Sequence, residues 1–146
     1  RLFELKNIVG VKDATADLNR VTQQKNKMGD EFIQLSGEDG TALEFNLKGG
    51  KGCISVTANI APKLCFEFQE ASLAKDNSNL ISKAKEINKI LLPLHSSLFI
   101  ESNPCPVKYG ASLLGLCSED VRLPLVKTTD PTKSIVKSAM TKAGLL

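Results

Sequence analysis

The sequence has few of the side chains that enzymes most often use for proton transfer. Its 146 residues include no tryptophan, one tyrosine and a single histidine, His95. His95 lies near Pro93 in a segment with helical periodicity, where a packing or surface role fits it better than a catalytic one. The sequence therefore supports no Ser-His-Asp arrangement.

Cysteine is also sparse, and the four cysteines form no C-x-x-C pair and have no histidine close by in the sequence. Their apolar neighbours predict buried, free thiols in a reducing cytoplasm rather than two disulfides. The net charge is only +3, and the sequence contains no run of like charges. Both observations argue against a nucleic-acid partner. No apolar stretch approaches the roughly 18–20 residues of a membrane span, and no signal peptide is recognisable. A first residue other than methionine is expected of a fragment or a processed product.

The first half of the chain does contain a regular alternation of strand and helix signals. Short strands are predicted at residues 8–11, 32–36 and 52–56, each apolar on both faces, as a sheet covered on both sides requires. Asp17 is the expected cap of the first helix, and Asp39 or Thr41 that of the second. This rhythm predicts an α/β fold with a parallel sheet and crossover helices.

From residue 61 onwards the signals are helical. Helices are predicted over residues 62–75, from residues 76–78 through a long leucine-rich segment, over residues 103–114, and from residue 130. The chain therefore reads as β-α-β-α-β-α followed by three helices. Three open parallel strands would leave two sheet edges uncovered, so the pattern predicts further strands on the amino-terminal side.

Lys12 is the leading candidate for chemistry. It stands at the carboxyl end of the first strand, and Gly37 and Ile54 occupy the corresponding ends of the next two strands, the edge at which parallel βα folds hold ligands. An amine partly shielded from water gives up its proton more readily and becomes a nucleophile, whereas a lysine that only reaches solvent would be inert. Gly10, two residues earlier on the same face, is expected to leave room for the lysine side chain.

Glu38 and Asp39 follow the second strand directly. Their carboxylates could bind a polar substrate, or could satisfy the first turn of the next helix, and both roles are compatible. Gly37 just before them would permit close approach of the backbone to a ligand.

Four segments of the sequence resemble the dihydrodipicolinate synthase family. They are Asn-Ile-Val-Gly-Val-Lys-Asp-Ala-Thr at 7–15, Leu-Ser-Gly-Glu-Asp at 35–39, Gly-Gly-Lys-Gly-Cys-Ile-Ser-Val-Thr-Ala-Asn at 49–59, and Asn-Pro-Cys-Pro-Val-Lys at 103–108. The resemblance implies a TIM (β/α)8 barrel followed by a helical extension. It places barrel strands six to eight and their helices, the last from about residue 61, in residues 1–76, and the three-helix extension in residues 77–146.

The resemblance also implies a reaction. Lys12 would form a Schiff base with pyruvate, and the resulting enamine would attack L-aspartate 4-semialdehyde to give 4-hydroxy-tetrahydrodipicolinate, the precursor of diaminopimelate and lysine. This carbon–oxygen lyase chemistry uses no metal and no organic cofactor. The backbone at Gly37 and Ile54 would line the pyruvate end of the pocket, and Glu38 and Asp39 would lie near the semialdehyde. Tetramers are usual in the family, so the resemblance implies a homo-oligomer. A cytoplasmic location is expected for this chain, and neither a nucleic-acid nor a membrane partner is expected.

The resemblance covers this chain from end to end but only the carboxyl-terminal half of a family member. The family's catalytic tyrosine, its threonine relay partner and its substrate-binding arginine belong to the other half, so these 146 residues alone are expected to be inactive. Ala16 stands where the family commonly has glycine, and Cys53 where valine is usual. Two alternatives remain: a related pyruvate-dependent aldolase, such as a sialic-acid or keto-deoxy-sugar-acid lyase, and a non-catalytic truncated remnant.

Overall fold

The computed structural model describes residues 1–146 as an α/β chain with two strands and six α-helices. The strands are β1 (Gly10–Asp13) and β2 (Ile33–Ser36), and the helices are α1 (Asn19–Met28), α2 (Ala42–Leu47), α3 (Pro62–Leu73), α4 (Ser78–Ser97), α5 (Cys105–Leu113) and α6 (Asp130–Lys142). The predicted helices are all present in the predicted order.

The chain forms two compact units, one of Arg1–Ser55 with Phe68–Lys85 and one of Val56–Glu67 with Glu86–Leu146. The first unit contains the sheet. The division at residue 76, which depends on the family resemblance, stays a prediction.

The two strands are parallel, with Gly10 opposite Ile33 and Asp13 opposite Ser36. The predicted third strand is reduced to a single parallel bridge between Ser36 and Cys53. The Ser36 N–H donates to the Gly52 carbonyl at 2.9 Å and the Ile54 N–H donates to the Ser36 carbonyl at 2.8 Å. The ladder ends there because the chain enters a 3-10 turn at Thr57–Asn59. The parallel arrangement is therefore confirmed, but the length predicted for the third strand is wrong.

The two faces of the β1–β2 sheet differ in their surroundings. Asp13, Gln34 and Ser36 share the buried face and are at most 8% exposed. Gln34 is accommodated there because its side-chain amide donates to the Val21 carbonyl of α1 at 3.1 Å. The prediction of strands that are apolar on both faces is wrong, since hydrogen bonds to loops and helices satisfy the polar groups. The opposite face, which carries Lys12, is open in this chain.

Within the first unit, a buried amide links α2 to α3. Asn46 is fully buried, and its side-chain NH2 donates to Gln69 Oε1 and to Ser72 Oγ, both at 2.8 Å. Phe45 of α2 and Ala71 of α3 are also buried. A single side chain in the short helix α2 therefore holds it against the longer α3.

In the second unit, the periodic leucines of α4 form the centre of the core. Leu91, Leu94 and Leu98 have no exposed surface, as their three- and four-residue spacing predicts. His95 is also buried, and its Nδ1 lies 2.6 Å from the Thr57 hydroxyl oxygen. This contact agrees with the packing role predicted for the histidine.

All four cysteines are free thiols, as predicted. Cys65 and Cys105 are buried, but Cys53 is only half-buried and Cys117 is exposed, so the prediction of burial is wrong at these two positions. Cys117 follows α5 in the connection to α6, outside any packed element. No helix of the structure combines the length and the apolar character needed to cross a bilayer.

Candidate active site

Lys12 is the third residue of β1, and its side chain is exposed on the open face of the sheet. It is opposite Leu35 in the parallel register. A regular strand holds its Cα, so the amine projects from a rigid element rather than from a loop. Such support favours precise placement of a reactive group.

Gly37 packs directly against the lysine side chain. A Cβ built on Gly37 would lie 2.7 Å from Lys12 Cε and 2.8 Å from the Ala14 Cβ. The Gly37 N–H donates to the Asp13 carbonyl at 2.7 Å, which continues the ladder between β1 and β2. Gly37 therefore lets the backbone pass within contact distance of the lysine shaft.

Gly10 has a different role from the one predicted. A Cβ at Gly10 would collide with the Ile33 carbonyl oxygen and lie 2.8 Å from the Ile33 Cβ. The neighbouring strand, and not the lysine side chain, occupies the space that the glycine leaves. The expectation that Gly10 makes room for Lys12 is wrong, because the approach of β2 to β1 uses that space.

Ile54 lies on the far side of β2 from Lys12 in the order of the sheet, and its side chain is 50% exposed. The Ile54 N–H donates to the Ser36 carbonyl. The N–H of Gly37, the residue after Ser36, donates to the Asp13 carbonyl. The ladder therefore connects the ends of the three predicted strands, and the structure brings Lys12 and Gly37 into contact.

Glu38 and Asp39 are engaged within the loop that follows β2. The Glu38 carboxylate accepts a hydrogen bond from the Gly40 N–H at 3.0 Å, while the Ser36 hydroxyl contacts the Glu38 backbone. Asp39 is 5% exposed, and the Cys53 thiol lies 3.8 Å from its Oδ1. Glu38 therefore satisfies an N–H in the first turn after β2, which is one of its two predicted roles. The predicted role near a substrate stays a prediction for both Glu38 and Asp39.

Asp13 is a site residue that the sequence reasoning did not single out. It is buried, its Oδ2 accepts a hydrogen bond from Arg20 Nε at 2.6 Å, and its Oδ1 accepts from the Thr15 N–H and hydroxyl at 2.9 and 2.6 Å. Burial alone would raise the pKa of Asp13, but the Arg20 guanidinium and the Thr15 hydrogen bonds outweigh it and lower the pKa to about 2. An Asp-x-Thr sequence directly after a strand was the available signal, because this spacing is typical of side chains that close a turn.

The reactive group of this site is an amine on an open sheet face. No three His, Cys, Asp or Glu side chains come together in a way that could hold a metal ion. A primary amine can attack a carbonyl compound and lose water to form an imine, which makes carbonyl substrates the class that the site suits.

Comparison with known proteins gives a consistent result. Residues 1–143 match the model of the dihydrodipicolinate synthetase family. Over 146 residues the chain is 67% identical to the 4-hydroxy-tetrahydrodipicolinate synthase of Pelagibacter ubique (strain HTCC1062), covering all of this chain and 50% of that protein. It is 60% identical to the enzyme of the same name from Parvibaculum lavamentivorans, covering 49% of it. The chain thus spans about half the length of the curated relatives it matches.

Solved structures show the same relationship. The chloride-inhibited dihydrodipicolinate synthase from Acinetobacter baumannii complexed with pyruvate superimposes with a TM-score of 0.92 at 40% identity, over 100% of this chain and 49% of that one. The Thermotoga maritima enzyme gives a TM-score of 0.90 at 33% identity, over 99% of this chain and 48% of that one. The α/β class predicted from the sequence is confirmed.

Proposed function

Because this chain belongs to the dihydrodipicolinate synthetase family, we propose that it supplies the Schiff-base lysine of a 4-hydroxy-tetrahydrodipicolinate synthase. Lys12 is the residue that we assign to the covalent step. The observation that carries the proposal is the contact of the Lys12 side chain with Gly37 at the carboxyl end of a parallel strand. This edge is where the catalytic residues of βα barrels lie.

In the proposed reaction, the unprotonated Lys12 amine adds to the C2 carbonyl carbon of pyruvate, and loss of one water molecule gives an imine. The protonated imine nitrogen withdraws electrons, so a base can remove a proton from C3 and leave an enamine. The enamine carbon attacks the aldehyde carbon of L-aspartate 4-semialdehyde and forms the new carbon–carbon bond. The amino group of the condensed product then displaces Lys12 from the imine carbon, which closes the ring and regenerates the free lysine.

The residues around Lys12 take supporting roles in this proposal. The backbone at Gly37 and Ile54 lines the pyruvate end of the pocket, and Glu38 and Asp39 lie towards the semialdehyde. No metal and no organic cofactor take part, since the imine nitrogen itself accepts the electron pair. The exposed Ile54 side chain and the open face of the sheet support a pocket that is completed by other parts of the barrel.

We further propose that β1, β2 and the bridged segment at Cys53 are strands six to eight of a TIM barrel, with α4, α5 and α6 as its carboxyl-terminal extension. A chain spanning half of its relatives then acts only within the complete barrel, and the 146 residues alone have no turnover. The complete enzyme is a homo-oligomer, a tetramer in the usual family form. The four free thiols are compatible with a reducing cytoplasm.

Borohydride trapping tests the assignment. The complete enzyme is incubated with pyruvate and reduced, and its peptides are mapped by mass spectrometry. We expect a reduced pyruvate adduct on Lys12, and no adduct in Lys12→Arg, which keeps the charge but forms no imine. Lys48→Arg, a lysine substitution outside the strands, is the matched control and should label normally. An unlabelled Lys12 in the wild-type enzyme would refute its assignment as the Schiff-base lysine.

The reaction itself is distinguished by its products. We expect condensation of pyruvate with the semialdehyde. Release of pyruvate from a sialic or keto-deoxy-sugar acid, without condensation, would instead assign the enzyme to the related lyases. If Lys12 is labelled but the complete enzyme shows neither condensation nor pyruvate release, the result would favour the non-catalytic remnant.

A further inference from the structure

The residue that follows Lys12 faces the opposite way. Side chains alternate along a strand, so Lys12 projects from the open face of β1 while Asp13 lies on the buried face. The Asp13 side chain is only 6% exposed. The proposed reaction does not use this carboxylate, and burying it is costly unless it is paired.

The Asp13 carboxylate fixes the connection between β1 and α1. One oxygen accepts the two hydrogen bonds from Thr15, at 2.9 and 2.6 Å, and closes the turn immediately after the strand. The other oxygen accepts from Arg20 Nε at 2.6 Å and lies 3.5 Å from Gln24 Nε2, two residues of α1. The first turns of the helix are thereby attached to the strand end that carries the lysine.

The Asp13 backbone continues this connection to the lysine itself. Its carbonyl oxygen accepts the Gly37 N–H at 2.7 Å, and Gly37 packs against Lys12 Cε. Ala14, which lies between Asp13 and Thr15 in the turn, packs on Gly37 as well. A shift of the turn would therefore move Gly37, the surface against which the lysine shaft rests.

We propose that Asp13, held by Arg20, is a positioning residue that directs the Lys12 amine towards its carbonyl substrate from behind the strand. This inference rests on the proposed function, because it assumes that Lys12 forms an imine. Asp13 does not touch the substrate. Its effect passes through the turn at Thr15 and through Gly37.

The expected effect follows from how sharply imine formation depends on geometry. Misplacing a reacting group by about 1 Å can slow a reaction by up to roughly a hundredfold. Loss of the ion pair relaxes the turn without removing the amine, so we expect the maximal rate of imine formation to fall about tenfold. The pyruvate concentration for half-maximal rate should stay within twofold, because neither substitution removes a group that binds pyruvate.

The test uses the complete enzyme and rapid-quench borohydride trapping over a range of pyruvate concentrations. Asp13→Asn removes the charge, and Arg20→Met removes its partner from a position whose side chain is 45% exposed, where folding is least at risk. Lys25→Met is the matched control, since it deletes another α1 cation, the one paired with Asp30 at 3.0 Å. Circular dichroism and thermal unfolding establish the folded fraction of each variant.

A tenfold slower maximal rate in Arg20→Met, with unchanged half-saturation and a wild-type rate in Lys25→Met, supports the inference. A wild-type rate in folded Arg20→Met overturns it, as does a loss that only follows the unfolded fraction. If Asp13→Asn fails to fold, Arg20→Met alone decides. A wild-type enzyme that shows no label on Lys12 refutes the proposed function itself, an outcome visible before any variant is compared.

Discussion

The side chain of Lys12 rests on Gly37: its Cε is 2.7 Å from the point where a Cβ of that residue would stand. Lys12 lies in β1, Gly37 directly follows the neighbouring parallel strand β2, and the Gly37 N–H donates to the carbonyl of Asp13, the residue after Lys12. The direction of the Lys12 side chain therefore depends on the lack of a side chain at Gly37. This relationship leads to the first prediction.

Gly37→Ala should slow imine formation at Lys12 by about ten- to a hundredfold in the complete enzyme, because the new methyl group must displace the lysine shaft or Ala14. Borohydride trapping with pyruvate measures the rate. Gly40→Ala is the control in the same loop, since its Cβ would meet only the Glu38 carboxylate, at 3.2 Å. Equal rates in the two variants would show that the contact does not direct the lysine.

Ala16→Gly should stabilise the protein. Ala16 is the one non-glycine residue with a positive φ, 60°, a conformation that costs an L-residue about 1–2 kcal/mol. Glycine removes that cost but loses more backbone entropy on folding, so the net gain should be about 0.5–1 kcal/mol. Thermal unfolding at fixed protein concentration measures the shift. Ala42→Gly, at a φ of −60° in α2, should change the melting temperature in the opposite direction.

Asp13 should contribute to stability in a pH-dependent way. Its pKa is lowered to about 2 in the folded protein, from 3.8, so the unfolded state binds its proton first as the pH falls. The contribution is therefore fully present above pH 4 and is lost between about pH 4 and 2. It should amount to about 1–2 kcal/mol at neutral pH, because Arg20 is partly screened by solvent.

Unfolding of the wild type and of Asp13→Asn, compared between pH 7 and 3, measures this contribution. The stability difference between them should be largest at pH 7 and should narrow towards pH 3. Asp30→Asn provides the control, since Asp30 makes an exposed ion pair with Lys25 and its loss should matter little at any pH. If the stability difference between the wild type and Asp13→Asn stays constant with pH, it does not come from the ionised Asp13 carboxylate.

The exposed thiol of Cys117 should react first with a soluble disulfide reagent. One thiol per chain is expected to react rapidly in the native protein. The half-buried Cys53, whose thiol lies 3.8 Å from Asp39 Oδ1, should react more slowly, and the buried Cys65 and Cys105 should react only after denaturation. Colorimetric titration of the native and denatured protein measures both phases. Cys117→Ser should remove the fast phase, and its persistence would show that another thiol is exposed.

Helix prediction from the sequence was accurate because its signals are local. Leu91, Leu94 and Leu98 recur at helical spacing and are all buried in α4. The side-chain oxygen of Asn77 accepts hydrogen bonds from two N–H groups at the start of that helix, within the residues where the sequence predicted it to begin. Periodicity and capping depend on residues within a few positions of each other, so they can be read without knowledge of the fold.

Prediction was less accurate where distant residues meet. The predicted third strand is a single bridge, and Gly10 makes room for Ile33 rather than for Lys12. Asp13 was passed over because an aspartate after a strand is ordinary in sequence. Its importance comes from Arg20, which is seven residues away, and from the register that brings Gly37 to its carbonyl.

The sequence by itself determined the order of the strands and helices, the position of Lys12 at a strand end, and the family to which its motifs belong. These follow from residue types and from spacings along the chain. Only the tertiary structure decided that Gly37 supports Lys12 and that Asp13 secures the turn from the buried face. Such contacts depend on strand register and on side-chain direction, which arise when separate segments pack together and which no single segment encodes.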